Sequence, residues 1–196
     1  MINPDYPLTD LHRHLDGNIR LSTIWQLAEE YSIVLPADNV ETLKTKVQIQ
    51  QKTTDLLAFL AKMELGVSVL ASEQACFRVA YENVEDAKLA GLSYVELRFS
   101  PVFMAKTYGL VLERVVEAVL AGCHAGSKTY GVSVNIIGIL SRSYGEQSCM
   151  QEFQALLTAK DNICALDLAG DEKGFPAKRF VEHFALASTH FDFGIF

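Results

Sequence analysis

The chain has 196 residues and a formal net charge of −7, with 49% hydrophobic and 21% charged residues. This composition is typical of a folded globular domain and excludes a disordered chain, and an acidic chain without a Lys/Arg cluster argues against nucleic acid and anionic membrane as partners. No apolar run reaches the roughly 18 residues of a membrane span, and the first residues lack a basic and apolar signal segment, so we expect a cytoplasmic protein.

The first part of the chain predicts one strand followed by helices, from hydrophobic spacing and helix-capping residues. Residues 39–55 are ambiguous, and we interpret them as a short helix and loop. The other predicted elements are a strand over 7–12, a helix that Ser22 caps and that reaches Tyr31 before Pro36, a helix over 55–69, and a helix over 73–90 that Ser72 opens and Gly91 ends.

After Gly91, strands and helices alternate. The predicted strands are 93–99, 132–140 and 163–169, and the predicted helices are 110–130, 146–160 and 176–187. Such alternation indicates βαβ units and a parallel sheet, either doubly wound or closed into a barrel. Neither nucleotide-binding glycine motif occurs, which favours the barrel. Four βα units are half of a TIM (β/α)8 barrel, so we expect an α/β half-barrel that forms a single partial domain over residues 1–196.

Four cysteines, Cys76, Cys123, Cys149 and Cys164, occur without a CxxC pair, and three of them lie among apolar neighbours. We expect buried free thiols in a reducing compartment, because so few cysteines do not make a disulfide scaffold in a chain of this length. The missing CxxC pair also excludes the zinc site of the cytidine deaminase type.

The first candidate for chemistry is the pair His12 and His14, which lie two apart at the end of the first strand. Side chains two apart on a strand face the same way, so two imidazoles here can bind one divalent metal ion. The alternative interpretation is two exposed or capping histidines at a loop edge. Asp16 and Gly17, which follow at once, add a carboxylate and a turn.

Two further groups of polar residues lie on predicted strands. Glu96 and Arg98 alternate along one strand and share a face, as a structural salt bridge or as functional groups. Asp167 lies inside an otherwise apolar strand, and a buried carboxylate needs a partner. Gly170, at the end of that strand, allows close approach of the backbone to a ligand, while Asp171 and Glu172 form a loop that is functional or merely solvated.

Four segments together resemble the strand-end motifs of the bacterial adenosine deaminase family, in the same order along the chain. They are Thr9–Gly17, Tyr94–Pro101, Ile137–Arg142 and Asp167–Glu172. The resemblance extends continuously from about residue 7 to about residue 187. It implies a TIM-barrel zinc hydrolase that converts adenosine to inosine and ammonia, and hence one zinc ion and a small nucleoside substrate.

The same resemblance implies roles for individual residues. His12 and His14 correspond to zinc ligands, His14 and Asp16 lie against the ribose hydroxyls, and the backbone at Gly170 reaches the purine ring. Zinc fits this chemistry because it lowers the pKa of a bound water towards neutrality and so makes hydroxide available.

The sequence departs from the family after about residue 187. The family's fifth strand carries a His-Ala-Gly-Glu motif, with the third zinc ligand and the general acid/base, and neither this motif nor the later ones are present. Residues 188–196 do not resemble the family, and we interpret them as an aberrant tail of an incomplete chain, such as a frameshifted reading frame. The catalytic residues are therefore unassigned, an inactive remnant is the alternative function, and self-association through open sheet edges is expected.

Overall fold

The computed structural model of the chain describes residues 6–52 and 56–191. Its strands are β1 (Leu8–His14), β2 (Leu92–Phe99), β3 (Ser133–Ser141) and β4 (Ala165–Ala169). Its α-helices are α1 (Leu21–Glu30), α2 (Val40–Val47), α3 (Leu56–Val67), α4 (Glu73–Leu89), α5 (Pro101–Ala105), α6 (Leu112–Tyr130), α7 (Gly145–Leu157) and α8 (Val181–His190). Short 3-10 turns cover Arg142–Tyr144, Lys160–Asn162 and Ala177–Phe180.

The four strands form one parallel sheet in the order β1-β2-β3-β4. Each strand therefore pairs with the next strand along the chain, and helical segments connect them, as in the first half of a (β/α)8 barrel. The predicted α/β half-barrel is confirmed. Within the described residues, β1 and β4 each have one neighbouring strand and leave one edge without a partner strand.

The hydrophobic core lies between the outer face of the sheet and the helices. Val95, Leu97 and Phe99, which alternate along β2, are completely buried in it. Helices α4 and α6 can pack closely because Gly122 has no side chain. A Cβ atom at this position would overlap the Phe77 carbonyl oxygen. The core thus supports the outer face of the sheet and leaves its carboxyl end, where the strands stop, free to carry a site.

Strand β1 is not a regular strand over the residues of the predicted metal pair. Its register with β2 shifts between Asp10 and Arg13. Asp10 pairs with Val95 and Arg13 with Leu97, so β1 advances three residues while β2 advances two. Such a shift is a β-bulge, and bulges redirect side chains. The prediction assumed uninterrupted alternation from the first strand residue to the last, and the bulge was not predicted.

Several predicted boundaries differ from the structure. Ser22 does not cap α1, because the helix begins two residues earlier, at Leu21. Arg20 occupies the N-cap position, with its side chain bound to Asp86. The prediction that Ser100 and Pro101 end the second strand is correct, but they also begin the short helix α5, with Ser100 as its cap. Residues 39–52 do contain a short helix, α2.

The last described helix continues beyond the predicted end near residue 187. Helix α8 extends to His190, and Phe191 is buried. Of the tail that the sequence analysis interpreted as aberrant, residues 192–196 lie outside the described residues. No described helix is both long and apolar enough to cross a membrane. All four cysteines are free. Cys76, Cys123 and Cys149 are buried, as predicted, whereas Cys164 is partly exposed.

Candidate active site at the carboxyl ends of the strands

The four residues predicted to form the site lie together. His12, His14, Asp16 and Gly170 all line one cavity of about 730 Å³ at the carboxyl ends of β1 and β4. A smaller cavity of about 330 Å³ adjoins it and shares His14, Asp16 and Gly170. Residues of α3 line both cavities, so the helix covers the mouth of the half-barrel. Concave sites of this size suit small molecules.

The two histidine rings lie side by side despite the bulge. The ring centroids of His12 and His14 are 5.5 Å apart, with an angle of 40° between the ring planes. Partial burial, together with the positive charge of nearby Arg98 and the neighbouring His14 ring, lowers the pKa of His12. A neutral imidazole has a lone pair that can bind a metal ion, so this environment favours the ligating form.

Asp16 has one carboxylate oxygen without a hydrogen-bond partner in the protein. Its side chain is almost completely buried, and its Oδ2 accepts a 2.9 Å hydrogen bond from the backbone N–H of Ser100. The other oxygen, Oδ1, has no hydrogen bond and lies 3.6 Å from Nδ1 of His14. Since buried polar atoms in native proteins are nearly always hydrogen-bonded, this oxygen indicates a place for a ligand donor such as a hydroxyl.

Gly170 occupies a position that only glycine fits. Its φ angle is +117°, in a region that L side chains rarely adopt, and a Cβ atom there would lie 2.5 Å from the Ser143 hydroxyl. That hydroxyl accepts a 2.8 Å hydrogen bond from the backbone N–H of Asp171. The backbone at Gly170 is therefore held open towards both cavities without a side chain in the way.

Comparison with known proteins identifies the family of the chain. The family model for adenosine deaminase matches residues 7–192. The chain belongs to the adenosine deaminase family. The adenosine deaminase of Edwardsiella ictaluri is 54% identical over 187 residues, which are 95% of this chain and 56% of that protein. The chain therefore spans about half the length of the curated relatives that it matches.

Solved structures share the fold of this chain over about half of their own length. An adenine deaminase from Arthrobacter aurescens is 27% identical, with a TM-score of 0.83 over 93% of this chain and 54% of that one. A zinc-bound amidohydrolase from Burkholderia ambifaria is 17% identical, with a TM-score of 0.82 over 98% of this chain and 51% of that one. This second likeness concerns the fold alone.

The polar residues on β2 and β4 do not form the Glu96–Arg98 salt bridge that the sequence analysis considered. Glu96 and Arg98 do not pair with each other. Arg98 donates a 2.7 Å hydrogen bond to Asp167 on β4 and a 3.1 Å bond to the carbonyl oxygen of Leu11 in the bulge, while Glu96 accepts a 2.7 Å bond from Tyr94. Arg98 and Asp167, which the sequence analysis treated separately, are thus partners of each other. Their contacts connect β1, β2 and β4 across the inner face.

The loop after β4 is mainly structural. Asp171 accepts a 3.1 Å hydrogen bond from the backbone N–H of Gly174, and Glu172 is exposed at 3.6 Å from Arg142. Asp171 also lines the smaller cavity. Of Gly170, Asp171 and Glu172, Gly170 is the one that lines both cavities.

A buried polar network below the cavities was missed. Glu152 on α7 is completely buried and accepts hydrogen bonds from Ser100 Oγ, Val102 N and Ser141 N. A sequence signal existed, because Glu152 falls on the same helical stripe as the buried residues Cys149 and Leu156. A charged residue on an apolar stripe points to a buried partner.

The residues present fit part of a zinc site. Two adjacent imidazoles, one of them with a lowered pKa, are nitrogen ligands that zinc prefers. Among residues 6–52 and 56–191, no group of three His, Cys, Asp or Glu side chains is arranged to hold a metal ion. The described chain therefore offers two ligands, one fewer than the three protein ligands usual in a catalytic zinc site.

Glu152 is expected to make stability depend on pH. Burial raises the pKa of Glu152 from its usual 4.5 to about 7. The folded chain then binds this proton more tightly than the unfolded chain, so the stabilisation is complete below the unfolded pKa and is lost as the pH rises through 7. Between about pH 5 and pH 7.5, we expect the free energy of unfolding to fall by about 1–3 kcal/mol more than in Glu152→Gln.

Urea unfolding of the two chains at both pH values measures this difference. Glu146→Gln, on the exposed side of the same helix, is the matched control and should keep the additional fall, because its carboxylate is not buried. An identical pH dependence of unfolding in the unmodified chain and in Glu152→Gln would contradict the prediction.

Proposed function

We propose that this chain supplies the N-terminal half of an adenosine deaminase site, which hydrolyses adenosine or deoxyadenosine to inosine or deoxyinosine and ammonia in purine salvage. The observation that carries this proposal is the meeting of His12, His14, Asp16 and Gly170 at one cavity in a chain of this family. A cytoplasmic location is part of the proposal, and the free cysteines support it.

The roles follow from the chemistry of each group. His12 and His14 would hold a zinc ion through their imidazole nitrogens. When bound, zinc supplies hydroxide near neutral pH for attack on the purine carbon that carries the amino group. His14 and the free Oδ1 of Asp16 would bind ribose hydroxyls, because a buried carboxylate oxygen accepts a hydroxyl hydrogen bond strongly.

The remaining walls would position the base and keep water away. The backbone at Gly170 would contact the purine ring, since no side chain separates it from the cavity. Leu60 and Met63 of α3 line both cavities and give the site an apolar cover. Removing water strengthens the electrostatic interactions inside a site.

A second candidate function is a catalytically inactive remnant of the family. The two-histidine ligand set of the described residues favours it, as does the absence of a His-Ala-Gly-Glu motif from the sequence. We assign no residue of this chain as the general acid/base. Under both candidates the partner is a small nucleoside, and self-association through the free edges of β1 and β4 is part of the proposal.

Zinc binding by the isolated chain tests the proposal. We expect weak binding, with a dissociation constant above about 1 μM, because two protein ligands fall short of a complete site. His12→Ala and His14→Ala should each abolish it, whereas His124→Ala, a change at an exposed histidine of α6, should leave it unchanged. Isothermal titration with zinc measures the affinity.

Two results would contradict this prediction. One is zinc binding that survives both His12→Ala and His14→Ala. The other is sub-micromolar binding lost in His12→Ala, which would show that the site is more complete than two histidines.

A further inference from the structure

The buried carboxylate of Glu152 connects the ends of two strands. Its Oε1 accepts hydrogen bonds from the Ser100 hydroxyl at 2.5 Å and from Val102 N at 3.2 Å, and its Oε2 accepts one from Ser141 N at 2.5 Å. Ser100 directly follows β2, and Ser141 is the last residue of β3. A side chain of the outer helix α7 therefore fixes where both strands end.

Ser100 carries this connection on to the candidate site. Its hydroxyl donates to Glu152 and accepts from Phe103 N and from the Ser141 hydroxyl, which uses all of its hydrogen-bonding capacity. Its backbone N–H donates to Oδ2 of Asp16. Three hydrogen-bonding groups thus lie in series from α7 to Asp16.

Asp16 keeps its other oxygen beside His14. Because Oδ2 is held by Ser100, Oδ1 is the oxygen left without a hydrogen bond, 3.6 Å from His14 Nδ1. We infer that Glu152 is a positioning residue: through Ser100 it sets the position of the Asp16 carboxylate beside His14. The functional importance of this positioning rests on the proposed function, whereas the positioning itself concerns the geometry of the ligand-free chain.

Glu152→Gln is the sharpest variant because it keeps the shape of the side chain. The amide oxygen can still accept from Ser100, but the amide NH2 would meet the N–H of Ser141, which is another donor. The variant therefore disturbs the series without creating a cavity. Glu146→Gln, on the exposed side of α7 with Arg179 as partner, is the matched control.

Nuclear magnetic resonance of the chain without metal or nucleoside tests the inference, with the label confined to Asp carboxyl carbons and His ring nitrogens. We expect Glu152→Gln to shift the Asp16 carboxyl and His14 ring signals while those of His124 stay in place, and Glu146→Gln to shift none of them. Unchanged Asp16 and His14 signals in a folded Glu152→Gln chain would overturn the inference.

A second variant covers the case in which Glu152→Gln does not fold. Ser100→Ala removes the hydroxyl between Glu152 and Asp16 and keeps the backbone N–H, so it should speed deuterium exchange at the amide of residue 100, measured by mass spectrometry. Exchange as slow as in the unmodified chain would overturn the inference. A chain that binds no zinc would instead contradict the proposed function and leave these readouts as they are.

Discussion

The isolated 196-residue chain is expected to show no measurable conversion of adenosine to inosine, even with added zinc. Its described residues offer two zinc ligands, and its sequence lacks the His-Ala-Gly-Glu motif. General acid–base catalysis contributes about 10²–10⁴-fold, so losing the proton donor together with part of the metal site removes several orders of magnitude. The fall in ultraviolet absorbance as adenosine becomes inosine measures the rate.

A genuine activity would be recognised by two controls. It would disappear with a chelator, and it would disappear in His14→Ala but not in His124→Ala, whose side chain lies away from both cavities. Activity that meets both controls would contradict the prediction, and would show that the described residues do not include the whole catalytic apparatus.

Self-association is the second large effect that we expect. Among residues 6–52 and 56–191, β1 and β4 each leave one edge without a partner strand, and such edges pair with other chains. The inner face of the sheet carries two polar pairs, Arg98 with Asp167 and Tyr94 with Glu96. We therefore expect association through the edges to dominate, and the chain to sediment as dimers or larger species above its monomer mass of 21.7 kDa.

Two lysine variants locate the contact. Leu11→Lys puts a charge on the β1 edge, where the leucine is 57% exposed, and should weaken association several-fold. Leu89→Lys, at a 77% exposed position on α4 away from the sheet edges, should leave association unchanged. A single monodisperse monomer with one cooperative thermal transition would contradict the prediction.

The sequence predicted those elements whose side chains follow a regular period. Strand β2 was predicted because it alternates, and α4 because Ser72 caps it and Gly91 follows its end. The bulge in β1 was not predictable, since it depends on pairing with β2, and the cap of α1 moved to Arg20 because contacts with α4 hold that side chain. Long-range contacts outweighed local preference at both places.

The sequence named residues that line the cavity, but it did not predict the hydrogen bonds and ion pairs that hold the surrounding side chains. The resemblance to the family named His12, His14, Asp16 and Gly170, and the structure brings them to one cavity. The Arg98 to Asp167 pair joins residues 69 positions apart, and no local pattern predicts such a pairing. Glu152 was visible only as a charge on an apolar stripe, and its partners lie on other elements.

Complementation tests most directly the claim that these residues form half of an adenosine deaminase site. The chain would be combined with the part of the Edwardsiella ictaluri relative that it does not match. We predict zinc-dependent conversion of adenosine to inosine in the assembled complex, lost in His14→Ala and kept in His124→Ala. A stable, zinc-loaded complex without activity, or activity that His14→Ala leaves unchanged, would contradict the claim.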